Sequence, residues 1–253
     1  MPSYALLLEY DGAPFLGWQR QADGLSVQQV LEEAAAHLNG GEVPVITAAG
    51  RTDAGVHAEG QVAQVTLSAE LPPERVKEAL NFHTRPHPVA VLAAAMVPEG
   101  WSARFSATGR AYRYRILNRR ARPALDLGRV WHVQRRLDAA AMHEAAQMLL
   151  GKHDFSAFRA AACQAKSALR TLDRLDVSRF GDEIVVVAEA RSFLHHQVRN
   201  MVGTLAEVGA GKRPVSWPRG ILDGRDRTRA GQTAPPDGLV LTGVRYPDPL
   251  DWS

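Results

Sequence analysis

A chain of 253 residues with a formal net charge of +3 is long enough to bury a substantial core, as one large domain or two small ones. Its one cysteine, Cys163, excludes an internal disulfide and a cysteine-based zinc site. No apolar run approaches the roughly 20 residues that span a bilayer, and Met1 leads straight into a strand pattern with no basic-then-apolar leader. The expectation is a soluble, cytoplasmic protein without membrane contact.

Taken in order, residues 3–10 alternate as a strand, with Tyr4, Leu6, Leu8 and Tyr10 on one face. Asp11-Gly12 ends it. A loop follows with Phe15, Trp18, Gln19 and Arg20, whose rings either stack on unpaired bases or cap the core. Ser26 reads as an N-cap with Gln29 completing a capping box, and Gly40-Gly41 stop that helix. Strands are predicted over 43–49 and 61–67, a helix from Pro72-Pro73 through Leu80, and a strand over 89–97. The order β-α-β-β-α-β is the ferredoxin-like unit.

The second half repeats that order loosely: a strand at 111–118, a helix at 137–150, a hairpin of 172–180 and 183–190 turning at Gly181-Asp182, a helix at 195–208 and a strand at 239–246. No low-complexity linker divides the halves. The division expected is 1–103 and 104–253, the first carrying the loop described next and the second most of the basic residues.

Between the strands at 43–49 and 61–67 lies Gly50-Arg51-Thr52-Asp53-Ala54-Gly55-Val56-His57-Ala58. Glycines at both ends allow sharp turns while Asp53 is held outward. Read from residue types alone, Arg51 and Asp53 form either a surface ion pair or a reactive centre. Residues 104–136 contain ten arginines, no lysine and one acid, Asp126. Arginine forks bind phosphate and stack on bases, so this segment suits RNA. Nine histidines invite a metal reading, but Pro86 and Pro88 break any helix joining His83 to His87, and His195 and His196 on one helix point about 100° apart. No metal site is expected.

The string Arg51–His57 resembles the active-site signature of the tRNA pseudouridine synthase A family. The likeness covers nearly the whole chain. Tyr10-Asp11-Gly12 with Gly17-Trp18-Gln19-Arg20-Gln21 resembles the family's opening, Arg104-Phe105-Ser106-Ala107 with Tyr112-Arg113-Tyr114 its middle, and Phe193-Leu194-His195-His196-Gln197-Val198-Arg199-Asn200 its third block. Where the family usually shows Asn-x-x-Leu-Pro, this chain has Asn81-Phe82-His83-Thr84-Arg85-Pro86, and no function is carried onto that turn.

The resemblance implies an α+β pseudouridine synthase fold: two ferredoxin-like (RRM-like) halves sharing one mixed, mostly antiparallel sheet, with helices on one face and an RNA-binding cleft on the other. It implies an isomerase that turns uridine into pseudouridine at positions 38, 39 and 40 of the tRNA anticodon arm, acting as a homodimer. The uracil is detached, rotated and rejoined through carbon, so no cofactor or metal is expected. Asp53 is then the catalytic nucleophile or base, paired with Arg199. Arg199 lies on the helix face opposite Met201; without the resemblance it reads as a phosphate clamp or a solvated charge.

Tyr112 is implied to lie against the target base, Arg51 to fill the gap left by a base swung from its stack, and Leu239 to line the uracil pocket. Arg20, Arg110, Arg113, Arg115, His195 and His196 are the candidate RNA contacts. Two other readings stand beside this one: a non-catalytic RNA-binding protein on the same scaffold, and a metal-dependent hydrolase using Asp53 with the histidines.

Overall fold

A computed structural model describes all of residues 1–253. The chain forms two compact units, Met1–Arg110 with Leu241–Ser253, and Ala111–Val240. The terminal segment therefore belongs with the first unit, whereas the sequence reading kept it with the second half.

In the first unit, β1 (Ser3–Tyr10) buries Tyr4, Leu6, Leu8 and Tyr10 as its alternation predicts. Helix α1 (Val27–Ala36) begins at Ser26, whose Oγ accepts the Gln29 N–H at 3.2 Å. The capping box is not closed, because the Gln29 side chain donates to Glu33 at 2.9 Å instead. Strand β2 covers Thr47–Ala48 rather than 43–49. Val43 and Val45 are exposed, and Pro44 has no N–H to give. The Ile46 backbone is answered by α1 side chains: its N–H donates to Glu32 at 3.1 Å, and its carbonyl accepts from Gln28 at 3.2 Å.

Strand β3 (His57–Thr66) starts four residues earlier than predicted, α2 (Pro73–His83) runs three residues past Leu80, and β4 (Val89–Val97) has the predicted bounds. Strand β1 pairs antiparallel with both β3 and β4, and β2 pairs antiparallel with β3. The order β4-β1-β3-β2 is that of the ferredoxin-like unit.

In the second unit, β5 (Gly109–Leu117, beginning two residues before the division) buries Tyr112, Tyr114 and Ile116. It pairs in parallel with the short β6 (Trp131–His132), which makes the pairing mixed. Helix α3 (Ala139–Gln147) is capped by Asp138, whose Oδ1 accepts from the N–H groups of Ala140 and Ala141. Strand β7 (Gly151–Asp154), absent from the sequence reading, pairs antiparallel with β8 (Leu169–Phe180), which pairs antiparallel with β9 (Glu183–Ala190) across Gly181 at φ +59°. Helix α4 (Gln197–Gly209) starts two residues later than predicted, and α5 (Trp217–Gly224) was not predicted.

Strand β10 (Leu239–Arg245) carries residues of both units. In the second unit the Arg115 N–H donates to the Gly238 carbonyl just ahead of it at 2.9 Å. In the first, β10 runs so close to β3 that a Cβ on Gly60 would lie 2.5 Å from the Thr242 carbonyl oxygen. The tail beyond it pairs with β4 through Ala94 and Ser253, and Leu250 and Trp252 pack with Trp101 and Tyr246 over Ala5, Val62 and Ala103. That cluster covers part of the sheet face opposite α1 and α2 with apolar side chains.

Candidate active site

The loop between β2 and β3 is tied down along its backbone by the segment after β1. The Trp18 N–H donates to the Thr52 carbonyl at 3.0 Å, and the Gly55 N–H to the Phe15 carbonyl at 3.3 Å. The Val56 N–H closes a turn onto the Asp53 carbonyl at 3.1 Å. Gly55 takes φ +77°, the left-handed region that favours glycine. Gly50, expected to need the same freedom, is not among the positive-φ residues. Asp53 is half-buried at the turn, and Arg51 is exposed.

Beneath the loop the Tyr10 hydroxyl meets the Thr52 hydroxyl at 2.8 Å, and Gln61 Nε2 donates to the Gly50 carbonyl at 2.8 Å. Phe15 and Trp18 are buried, which decides their two readings in favour of the core. The buried His57 ring brings Nδ1 to 3.0 Å from the Gly12 N–H and 3.1 Å from Asp11 Oδ1. Sequence reasoning passed over Gln61 and His57 as supports of the loop. A glutamine at the head of a mostly apolar strand was the signal available for the first.

Burial pushes the Tyr10 hydroxyl up to about 12, against smaller opposing effects of its bonds to Thr52 and Gln61. An unfolded tyrosine ionises near pH 10, so the contribution of Tyr10 to stability is whole below pH 10 and is lost as pH rises toward 12. A rise from 10 to about 12 corresponds to about 3 kcal/mol. Unfolding temperatures measured from pH 9 to about pH 12 should fall more steeply for the native chain than for Tyr10→Phe. Parallel curves would show that the hydroxyl is not held as described.

The basic candidates divide. Arg110 is buried, and its guanidinium donates to three carbonyls: Ala49 at 2.6 Å, Arg104 at 2.8 Å and Ala107 at 3.3 Å. It ties residues 104–110 to the end of the strand that leads into the loop, within the first unit. Arg110, an expected RNA contact, is thus engaged by backbone carbonyls that compensate its desolvated charge. Arg115 is likewise engaged, in a fork with Glu183 at 2.7 and 2.9 Å and with Asp126 at 3.1 Å, bonds that raise its pKa further. Arg20 pairs at 3.1 Å with Glu32, the same carboxylate that receives Ile46. Arg113 is half-buried on β5.

In the second unit Tyr112 stands edge-on to Phe193, ring centroids 5.3 Å apart at 88°. The Tyr114 hydroxyl donates to the Pro235 carbonyl at 2.7 Å, and burial raises its pKa far above the usual tyrosine value. Arg199, on α4, donates from Nε to the Ala234 carbonyl at 2.8 Å and lies within electrostatic reach of Tyr114. Leu239 is buried at the start of β10. His195 and His196 precede α4 instead of opening it, so the helical 100° separation does not apply. His196 is the N-cap at φ 61°, and the two rings are tilted by 47° with centroids 4.1 Å apart.

The chain is an α+β protein that carries a half-buried carboxylate on a backbone-tied loop of its first unit. Residues 7–106 and 145–247 match the family described as tRNA pseudouridine synthase, and the chain belongs to that family, which makes it an isomerase. Two proteins named tRNA pseudouridine synthase A are similar over almost their whole length. That of Acidiphilium cryptum (strain JF-5) is 65% identical over 247 residues, 97% of each chain. That of Paramagnetospirillum magneticum (strain ATCC 700264 / AMB-1) is 62% identical over 247 residues, 97% of this chain and 96% of the relative.

Proposed function

We propose that this protein converts uridine to pseudouridine in the anticodon arm of tRNA, at positions 38, 39 and 40, with Asp53 as nucleophile or base. The observation that carries this is the placement of Asp53 at a turn whose backbone is bonded on both sides, in the string Arg51–His57. The bond from uracil N1 to the ribose breaks, the base turns, and C5 takes the place of N1. The C5 proton leaves to solvent and N1 gains one. The exchange is redox-neutral and cleaves no phosphate, so side chains suffice for the proton transfers.

In this reading Arg199 is the countercharge to Asp53, Tyr112 stacks on the target base, Leu239 forms the pocket floor, and Arg51 fills the vacated stack. The partner is tRNA, bound across a homodimer in the cytoplasm. Arg113, His195, His196 and the exposed arginines of 119–136 supply sequence-independent attraction to phosphates.

The test is release of tritium from C5-labelled uracil in an anticodon-arm RNA, with and without chelator, followed by mapping of the modified positions. Release at an unchanged rate in chelator, with pseudouridine at 38–40, is expected. Bound RNA with no release would make the protein a non-catalytic RNA binder, and release abolished by chelator would point to metal chemistry.

A further inference from the structure

Two open clefts of the second unit, of about 640 and 430 Å3, are both lined by Thr228, Ala230, Gly231 and Gln232 and so adjoin along that segment. His195 and His196 stand at one end. At the other are Arg213, its guanidinium 4.9 Å over the Trp217 ring, and the exposed Arg229. Glu207 also faces this end, but its carboxylate is answered by Lys212 at 3.1 Å.

The wall is rigid. The Gly231 N–H donates to the Thr204 hydroxyl at 3.1 Å, and a Cβ on Gly231 would lie 2.7 Å from the Thr204 Cα, so this segment rests directly on α4. Arg227 ties it further, donating to the Gly231 carbonyl at 2.9 Å and to Asn200 Oδ1 and Thr233 Oγ1 at 3.0 Å. The histidine end is fixed as well: the Ala160 N–H donates to the His195 carbonyl and the Asn200 N–H to the His196 carbonyl, each at 2.9 Å. The left-handed backbone of His196, which costs a non-glycine residue about 1–2 kcal/mol, is held from both sides.

Phe193 meets Tyr112 edge-on, and His195 follows two residues later, a step of at most about 7 Å. Rings, cations and a fixed backbone wall in line are what a single RNA strand requires, since bases stack on planar side chains and phosphates seek guanidinium groups.

We infer that these adjoining clefts act as a groove that holds the single-stranded RNA flanking the target uridine, with the neighbouring base beside His195 and His196 and backbone phosphates at Arg213 and Arg229. The inference rests on the proposed uridine chemistry at Tyr112. The probe is the anticodon-arm RNA, bound to the full-length protein from about 50 to 300 mM KCl. Arg213→Gln with Arg229→Gln should lower the slope of log affinity against log salt by about 1.4, near 0.7 for each phosphate contact to a single strand. At 100 mM salt the affinity should fall roughly tenfold.

Arg75→Gln, an exposed charge on α2, should leave slope and affinity unaltered. An abasic nucleotide next to the target should weaken binding by the native chain about tenfold, the loss of one base stack, and have no effect on His195→Ala. An unchanged slope in the double variant, an equal change in Arg75→Gln, or an abasic penalty that survives His195→Ala would each overturn the groove. If the native chain releases no tritium from this RNA, the proposed function fails; if it releases tritium while any of those results is found, only the groove fails.

Discussion

Asp53→Asn is expected to abolish tritium release from tRNA, by at least about 10⁴-fold, because the amide can neither attack as an anion nor accept a proton. Binding of the RNA should change by less than about threefold, since the loss removes no contact to phosphate. The substitution is nearly isosteric. The local backbone is fixed by Trp18, Gly55 and Val56 N–H groups that do not depend on the carboxylate, so the variant should fold and melt like the native chain. Single-turnover release, RNA affinity and unfolding temperature on the same preparation test this together. Turnover within tenfold of the native rate would remove Asp53 from the chemistry.

Gly17→Ala should be almost as damaging without touching a reacting group. Gly17 has φ +90°, and a Cβ built there lies 2.6 Å from the Thr52 carbonyl oxygen and 3.0 Å from the Ala54 nitrogen and the Asp53 carbonyl carbon. All three are backbone atoms, so no side chain can swing aside. Either segment 12–18 or the loop carrying Asp53 shifts. A displacement near 1 Å at a reacting group lowers the rate about 10²-fold, and the left-handed backbone adds about 1–2 kcal/mol of instability.

Gly40→Ala is the control, with φ +66° and nothing within 4 Å of the added carbon; it should show the strain alone and native turnover. Rate measurements on variants matched for fraction folded separate the two effects. Native turnover in Gly17→Ala would mean that the loop does not depend on this crossing.

The ferredoxin-like order was legible because each element carries its own period. The pattern of β4 and β9 gave their bounds, and the alternation of β1 named the side chains that fill the core. The pattern failed where side chains replaced a ladder. Residues 43–46 look like a strand, yet the Ile46 backbone bonds to Gln28 and Glu32 of α1, and Ile46 is the one large apolar side chain there that is buried. It failed again at α4, where His196 takes a left-handed conformation that a non-glycine sequence does not announce. Strand β7 and helix α5 are short elements in stretches where glycine, proline and basic residues obscure periodicity.

For the candidate site, glycine punctuation placed a turn around Asp53, and the motif string named the chemistry to look for. The surroundings of each charge were beyond reach. Ten arginines in residues 104–136 look alike in the sequence, yet Arg110 is buried against the Ala49 carbonyl, 61 positions away, while Arg115 is locked to Glu183 on β9.

By itself, then, the sequence determined the order of strands and helices in the first unit, the apolar faces, the turn that presents Asp53 and the family likeness. All of these follow from residues within a few positions of one another. The tertiary structure alone decided which guanidinium groups serve the fold, which glycines are pinned by a crossing backbone, and that residues 228–232 line two adjoining clefts. The reason is that a charge is compensated, and a backbone approached, by whatever lies nearest in space, and in a sheet fold that neighbour comes from a distant part of the chain.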